Sequence, residues 1–134
     1  MTNVLLVDNH EDFLSTRSEF LIRAGYNVAV ATSPATAREK LKTNTVDIMI
    51  TDIRLLDDND DKDTSGLTLA RDSDQNIPKI VMTNFPTVDG VRAALRPRLE
   101  DLSPAVDFIS KAEGPEVMLA AVRRAVASHI NEKS

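Results

Sequence analysis

The chain has 134 residues, 42% of them hydrophobic, a formal net charge of −5 and no cysteine. This length fits one domain. The absence of cysteine excludes disulfides and thiolate metal sites, and the negative net charge excludes a basic nucleic-acid surface. No apolar stretch approaches the roughly 20 residues of a membrane span, and the N-terminus lacks the basic start and apolar core of a signal peptide. We therefore expect a soluble, cytoplasmic protein that binds neither nucleic acid nor membranes directly.

Short apolar runs alternate along the chain with segments of helical spacing. In chain order the pattern predicts a strand at 3–7, a helix at 11–24, a strand at 27–31, a helix at 33–41, a strand at 46–51, a short helix at 66–71, a strand at 77–83, a helix at 88–95, a strand at 106–109 and a helix at 115–130. Ser33 is the expected N-cap of the second helix, with Pro34 in its first turn.

Alternating strands and helices, with central strands that are apolar on both faces, indicate a parallel sheet covered by helices on both sides. We predict an α/β fold of the flavodoxin-like doubly wound (βα)5 type, with five parallel strands in the order 2-1-3-4-5. One domain would span residues 1–130, followed by a C-terminal tail at 131–134. In such folds the ligand site lies at the carboxyl ends of the strands, beside the first and third.

Four of the predicted strands end on polar side chains that suit phosphoryl chemistry. Asp8 follows the first strand, Asp52 the third, Thr83 closes the fourth and Lys111 follows the fifth. Two carboxylates can hold a hard cation such as Mg²⁺, and a carboxylate can then act as nucleophile toward phosphorus. Thr83 would donate a hydrogen bond to a phosphoryl oxygen, and Lys111 would supply positive charge. The set favours phosphoryl capture over hydrolysis.

With these residues in this order, the chain resembles the receiver domain of two-component response regulators over nearly its whole length. The matching segments are VLLVD at 4–8, VDIMITDIRL at 46–55, IPKIVMT at 77–83 and DFISK at 107–111. The resemblance implies that Asp52 accepts the phosphoryl group from a sensor histidine kinase or phosphotransfer protein. It also implies that Thr83 is the switch hydroxyl, Phe108 the aromatic residue that repacks, and Lys111 the lysine that pairs with the phosphate.

By the same resemblance, Mg²⁺ would be held by Asp8, Asn9, Asp52 and the backbone carbonyl of Arg54. Receivers usually carry two adjacent acids after the first strand, so Asn9 removes one charge and predicts weaker Mg²⁺ binding. Arg54 and Phe85 stand where receivers influence attack by water, and neither can act as a base, which predicts a long-lived phosphorylated form. Ala112 replaces the usual proline after the lysine, so a cis peptide there becomes costlier.

Two loops are longer than receivers usually have. The acidic loop at 56–66 has aspartates at near EF-hand spacing, but Lys62 and Thr68 occupy the positions that need glycine and glutamate, so a solvated loop is the better interpretation. The extension at 96–104 would reshape the surface where receivers commonly signal. His10 and His129 receive no role.

Other functions stay open beside the phosphorylation switch, which would not be an enzyme in its own right. An interaction module of the same fold, read by a partner without phosphorylation, is favoured by Asn9. A flavin binder is disfavoured, because acidic residues at 8–12 would repel a flavin phosphate. The downstream protein target cannot be named from the sequence, and pairing of two copies as a homodimer is open.

Overall fold

The computed structural model describes residues 2–57, 59–60, 62–74, 76–84 and 106–133. The strands are β1 (Asn3–Val7), β2 (Asn27–Ala31), β3 (Ile48–Asp52), β4 (Lys79–Thr83) and β5 (Asp107–Ser110). The described helices are α1 (Glu11–Arg23), α2 (Pro34–Thr43), α3 (Ser65–Asp72) and α4 (Pro115–Lys133). None of these helices has the length and apolar content that a membrane span requires.

All neighbouring strands are parallel, in the order β2-β1-β3-β4-β5. This confirms the predicted flavodoxin-like α/β fold. The strand order reverses at β1, so the carboxyl ends of β1 and β3 flank the switch point where open α/β sheets bind ligands.

Alternate residues of each strand supply two separate layers of the core, because successive side chains point to opposite faces of a sheet. On one face, Leu6 of β1 and Ile50 of β3 belong to the cluster that packs α1 and α4. On the other face, Leu5 and Met49 join the cluster that packs α2 and α3. The central strands must therefore be apolar on both faces, which is why they read as nearly unbroken apolar runs.

Most predicted elements are confirmed, with shifts of one to three residues at their ends. Ser33 caps α2 as predicted, with its side chain accepting a hydrogen bond from the backbone N–H of Thr36 at 3.2 Å. Strand β3 extends one residue further than predicted and includes Asp52 itself. Helix α4 continues through Lys133, three residues beyond the predicted end. The predicted helix at 88–95, the extension at 96–104 and Phe85 lie outside the described residues.

Candidate functional site

The four polar residues at the strand ends are all buried at one edge of the sheet. Asp8 is 0% exposed, Asp52 and Thr83 are each 2% exposed, and Lys111 is 8% exposed. Strand register explains their grouping, because Asp52 pairs with Met82, one residue before Thr83, and Thr83 pairs with Ser110, one residue before Lys111. The backbone N–H of Lys111 also donates to the carbonyl of Thr83 at 2.8 Å.

Lys111 joins the two buried carboxylates. Its Nζ lies 2.6 Å from Oδ2 of Asp8 and 3.1 Å from Oδ2 of Asp52. Burial alone would lower the pKa of Lys111, but hydrogen bonding and charge attraction from the two aspartates outweigh it and raise the pKa above its ordinary value. The lysine is therefore held as a cation between two acids, and ionised carboxylates leave these three groups with one net negative charge.

Asp52 is costly to keep ionised. Burial raises its pKa from the ordinary 3.8 to about 6, with Lys111 opposing the rise and the charge of Asp8 adding to it. The backbone N–H of Arg54 reaches Oδ1 of Asp52 only at 3.4 Å. Because a carboxylate in this position gains from any added positive charge, the site favours a cation beside Asp52.

The loop after β1 offers further ligand atoms. Ligand atoms of Asp8, His10 and Asp52 lie within 4.8 Å of one another. Oδ1 of Asn9 is buried and accepts no hydrogen bond from any described residue. Two carboxylates and an unsatisfied buried oxygen acceptor make this edge of the sheet fit a divalent cation.

Residues of α1 and of the loop after β5 support Lys111. Nζ of Lys111 lies 4.5 Å from the ring centroid of Phe13, and the guanidinium of Arg17 lies 4.8 Å from the same centroid. Arg17 also donates to the carbonyl of Glu113 at 3.1 Å. The sequence gives Phe13 a place at helical spacing in α1, and nothing in the sequence alone separates a ring that contacts a lysine from an ordinary core residue.

Gly66 brings α3 against the end of β3. A Cβ atom added at Gly66 would lie 1.6 Å from the carbonyl oxygen of Asp52, so no larger residue fits without movement of the backbone. The backbone N–H of Gly66 donates to the carbonyl of Ile53 at 2.8 Å. The glycine therefore fixes the start of α3 directly behind the candidate phosphoacceptor.

Phe108 is half-buried on β5. It packs against the cluster of Ile53, Leu67 and Val81, between the end of β3, α3 and β4. The ring thus packs against a cluster that includes the residue after Asp52, which suits the predicted repacking role, and that role stays a prediction.

The acidic loop is organised around Asp63. Its carboxylate accepts hydrogen bonds from the backbone N–H groups of Leu56, Asp57 and Ser65 at 2.7–2.9 Å and from the Ser65 hydroxyl at 2.6 Å. Burial opposes the shift, but the bonds from Ser65, Asp57 and Leu56 lower the pKa of Asp63. Within the part of the loop that the structure describes, internal hydrogen bonds thus occupy the carboxylate of Asp63.

His10 is the site residue to which the sequence assigned no role. Its backbone N–H donates to Oδ1 of Asp8 at 2.8 Å, and its ring Nδ1 lies 3.2 Å from the same oxygen. Its position two residues after the first site acid was the available signal.

Residues 4–123 match the model of the response regulator receiver domain family. No curated protein matches the sequence.

Solved structures give the same fold at low sequence identity. A CheY-like response regulator receiver domain protein from Methanospirillum hungatei JF-1 is 19% identical, with a TM-score of 0.83 over 98% of each chain. A signal receiver domain of an HD domain-containing protein from Pseudomonas fluorescens Pf-5 is 24% identical, with a TM-score of 0.79 over 97% of this chain and 98% of that one. A response regulator from Burkholderia pseudomallei, described with a phosphorylated aspartic acid, a calcium ion and citrate, is 23% identical, with a TM-score of 0.76 over 100% of this chain and 74% of that one.

Proposed function

This chain belongs to the response regulator receiver domain family, and on that premise we propose that it is a phosphorylation switch whose phosphoacceptor is Asp52. The donor would be a sensor histidine kinase or a phosphotransfer protein. The observation that carries the proposal is the buried pair of Asp52 Oδ2 and Lys111 Nζ at 3.1 Å, beside a second acid at the same edge. A solved receiver-type neighbour with a phosphorylated aspartic acid adds support for the chemistry.

The transfer step exchanges one bond to phosphorus for another. A carboxylate oxygen of Asp52 attacks the phosphorus of a phosphohistidine, forming an O–P bond while the P–N bond breaks and its electron pair returns to the donor imidazole. Lys111, already held as a cation beside Asp52, would compensate the charge of the incoming phosphoryl oxygens. Thr83 would donate its hydroxyl hydrogen to one of those oxygens.

Asp8, Asn9, Asp52 and the carbonyl of Arg54 would hold the Mg²⁺ of this reaction. Bound Mg²⁺ would supply positive charge that offsets repulsion between the carboxylate and the phosphoryl group. The chain would not be an enzyme that turns over a separate substrate, since the acceptor is its own side chain. With Arg54 and Phe85 at the positions that influence water attack, the phosphorylated form would persist.

Phosphorylation would be read at the surface beside β5. Thr83 would move toward the phosphoryl group, Phe108 would repack, and the face formed by the predicted helix at 88–95, β5 and α4 would change for a downstream protein partner. The cytoplasm stays the proposed location.

A second candidate function is a phosphorylation-independent interaction module. It is favoured by Asn9, which stands where receivers usually carry a second acid and so removes a carboxylate from the metal site. It would keep the fold and the partner surface while losing phosphoryl capture.

The deciding experiment is the intact mass of the chain after incubation with acetyl phosphate and Mg²⁺. We expect native protein to gain one phosphoryl mass, with the gain lost in Asp52→Asn and in the presence of EDTA. Asp57→Asn is the matched control, because Asp57 is an exposed aspartate in the acidic loop that follows β3. A histidine kinase that phosphorylates a broad range of receiver domains serves as a second donor. No gain with either donor would reject the switch in favour of the interaction module.

A further inference from the structure

Two features distinguish this site from a magnesium site whose ligands are all anionic or neutral oxygens. It lacks the second carboxylate after β1, where Asn9 stands, and Lys111 already pairs with Oδ2 of both Asp8 and Asp52. Mg²⁺ gains most from anionic oxygen ligands and has little affinity for nitrogen. The lost charge therefore weakens Mg²⁺ more than it weakens an ion that accepts a nitrogen ligand.

The imidazole of His10 is the group that can supply such a nitrogen. Its Nδ1 lies 3.2 Å from Oδ1 of Asp8. Two ligand atoms bound at right angles at about 2.1 Å from a metal ion lie about 3.0 Å apart, so this spacing is already that of adjacent ligands. Ligand atoms of Asp8, His10 and Asp52 all lie within 4.8 Å of one another. A small movement of these side chains toward one another would let all three bind a common ion.

The local backbone holds His10 in this place. The N–H of His10 donates to Oδ1 of Asp8 at 2.8 Å, and the His10 carbonyl accepts the N–H of Leu14 at 3.1 Å as the first bond of α1. The residue is thus tied to the site on one side and to the helix on the other. Its side chain is half-exposed, 50%, so an ion arriving from solvent can reach it.

We propose that this site binds a divalent first-row transition metal ion in preference to Mg²⁺, with Asp8, His10 and Asp52 as ligands. Carboxylate and imidazole together are a ligand set that suits Zn²⁺, Co²⁺ or Fe²⁺ better than Mg²⁺. The inference rests on the proposed function in that the same ion would serve phosphoryl capture on Asp52. The alternative role of His10 is that of a helix N-cap residue whose ring hydrogen-bonds to Asp8 and holds no ion.

Calorimetric titration of the full chain with Co²⁺ and with Mg²⁺ tests the preference. We expect native protein to bind Co²⁺ at least about tenfold more tightly than Mg²⁺. His10→Phe should lower the Co²⁺ affinity by about tenfold or more and leave the Mg²⁺ affinity within about twofold. His129→Phe changes the other histidine of the chain and should leave both affinities unchanged.

Proton NMR of the Co²⁺-loaded chain reports the ligand directly. We expect one exchangeable imidazole N–H resonance shifted far outside the normal range by the paramagnetic ion, present in His129→Phe and absent in His10→Phe. Circular dichroism would verify that the variants remain folded.

Three results would overturn the inference: no such resonance, equal loss of Co²⁺ and Mg²⁺ affinity in His10→Phe, or no binding of Co²⁺ by native protein. The phosphoryl test on Asp52 is read separately, by mass. A chain that takes phosphate with Mg²⁺ but shows no imidazole resonance keeps the proposed function and loses this inference. A chain that shows the resonance but takes no phosphate keeps the metal site and loses the proposed function.

Discussion

Asp52, the proposed phosphoacceptor, is a carboxylate whose ionised form makes the fold less stable. It is buried beside a second acid, and its only described cationic partner is a lysine that it shares with Asp8. An acid whose pKa is raised in the folded state binds its proton more tightly there than in the unfolded chain. Protonated Asp52 therefore makes its full contribution to the free energy of unfolding at low pH, and this contribution is lost as the pH rises through about 6.

Asp52→Asn should accordingly stabilise the metal-free chain at neutral pH. In EDTA at about pH 7.5 we expect the free energy of unfolding to rise by about 1–3 kcal/mol, since the amide has no buried charge to desolvate. The gain should shrink toward pH 4, where Asp52 of the native chain is protonated. Urea unfolding across pH 4–8 measures it, with Asp57→Asn as the exposed control. If Asp52→Asn were less stable than native protein at neutral pH, the ionised carboxylate of Asp52 would not be what destabilises the metal-free fold.

Phe13 contacts the site through Lys111. The ring lies 4.5 Å from Nζ, a distance at which a cation–π contact contributes about 0.5–2 kcal/mol. Phe13→Leu keeps an apolar side chain and removes the ring face, so we expect a severalfold lower initial rate of phosphoryl uptake from acetyl phosphate. Phe13→Tyr keeps the face and should retain the native rate. Equal rates in both variants would show that the ring only fills the core.

At the scale of elements, apolar runs and helix signals were enough to place the strands and helices, while contacts between distant elements were not accessible. The alternation of faces in β1 and β3 follows from sequence because buried strands need apolar residues on both sides. The ends of elements shifted where tertiary contacts decide, as at Asp52, which pairs with Met82 inside the sheet. The ring contact of Phe13 with Lys111 depends on how α1 sits on the sheet, which no local pattern encodes.

The contact of α3 with β3 depends on Gly66. In Gly66→Ala the new Cβ would meet the Asp52 carbonyl at 1.6 Å, a backbone atom that cannot rotate away. We expect a loss of at least about 3 kcal/mol in unfolding free energy, or failure to fold. Gly114→Ala is the control, because its Cβ would meet only the end of the Glu116 side chain, at 2.8 Å, which can move. Urea unfolding compares them, and equal stability of the two variants would contradict the close approach.

At the scale of the whole molecule, parallel topology brings side chains from distant parts of the chain to one edge. The strand order follows from general rules for open α/β sheets, so the grouping of Asp8, Asp52, Thr83 and Lys111 could be anticipated. The charge balance could not, because it depends on Lys111 reaching both acids at once. The proposed role of His10 could not be anticipated for the same reason, since its spacing to Asp8 is a property of the folded loop.

The proposed switch would connect the phosphorylation site to the partner-binding surface through the pairing of β4 with β5. Thr83 and Lys111 are already joined by a backbone hydrogen bond of 2.8 Å, and β4 pairs with β5 along their described length. A shift of Thr83 toward a phosphoryl group would therefore displace the end of β5 and the start of α4 together. Phe108, packed between β4 and α3, would have to follow.

Hydrogen exchange on phosphorylated and unphosphorylated protein tests this coupling. We expect phosphorylation of native protein to change amide exchange in peptides that cover β5 and the first turns of α4. Thr83→Ala should still gain the phosphoryl mass on Asp52 but lose most of that change, because the hydroxyl proposed to draw β4 inward is gone. Thr43→Ala, an exposed position at the end of α2, should behave like native protein. An unaltered exchange response in Thr83→Ala would mean that the signal leaves the site by a route other than β4.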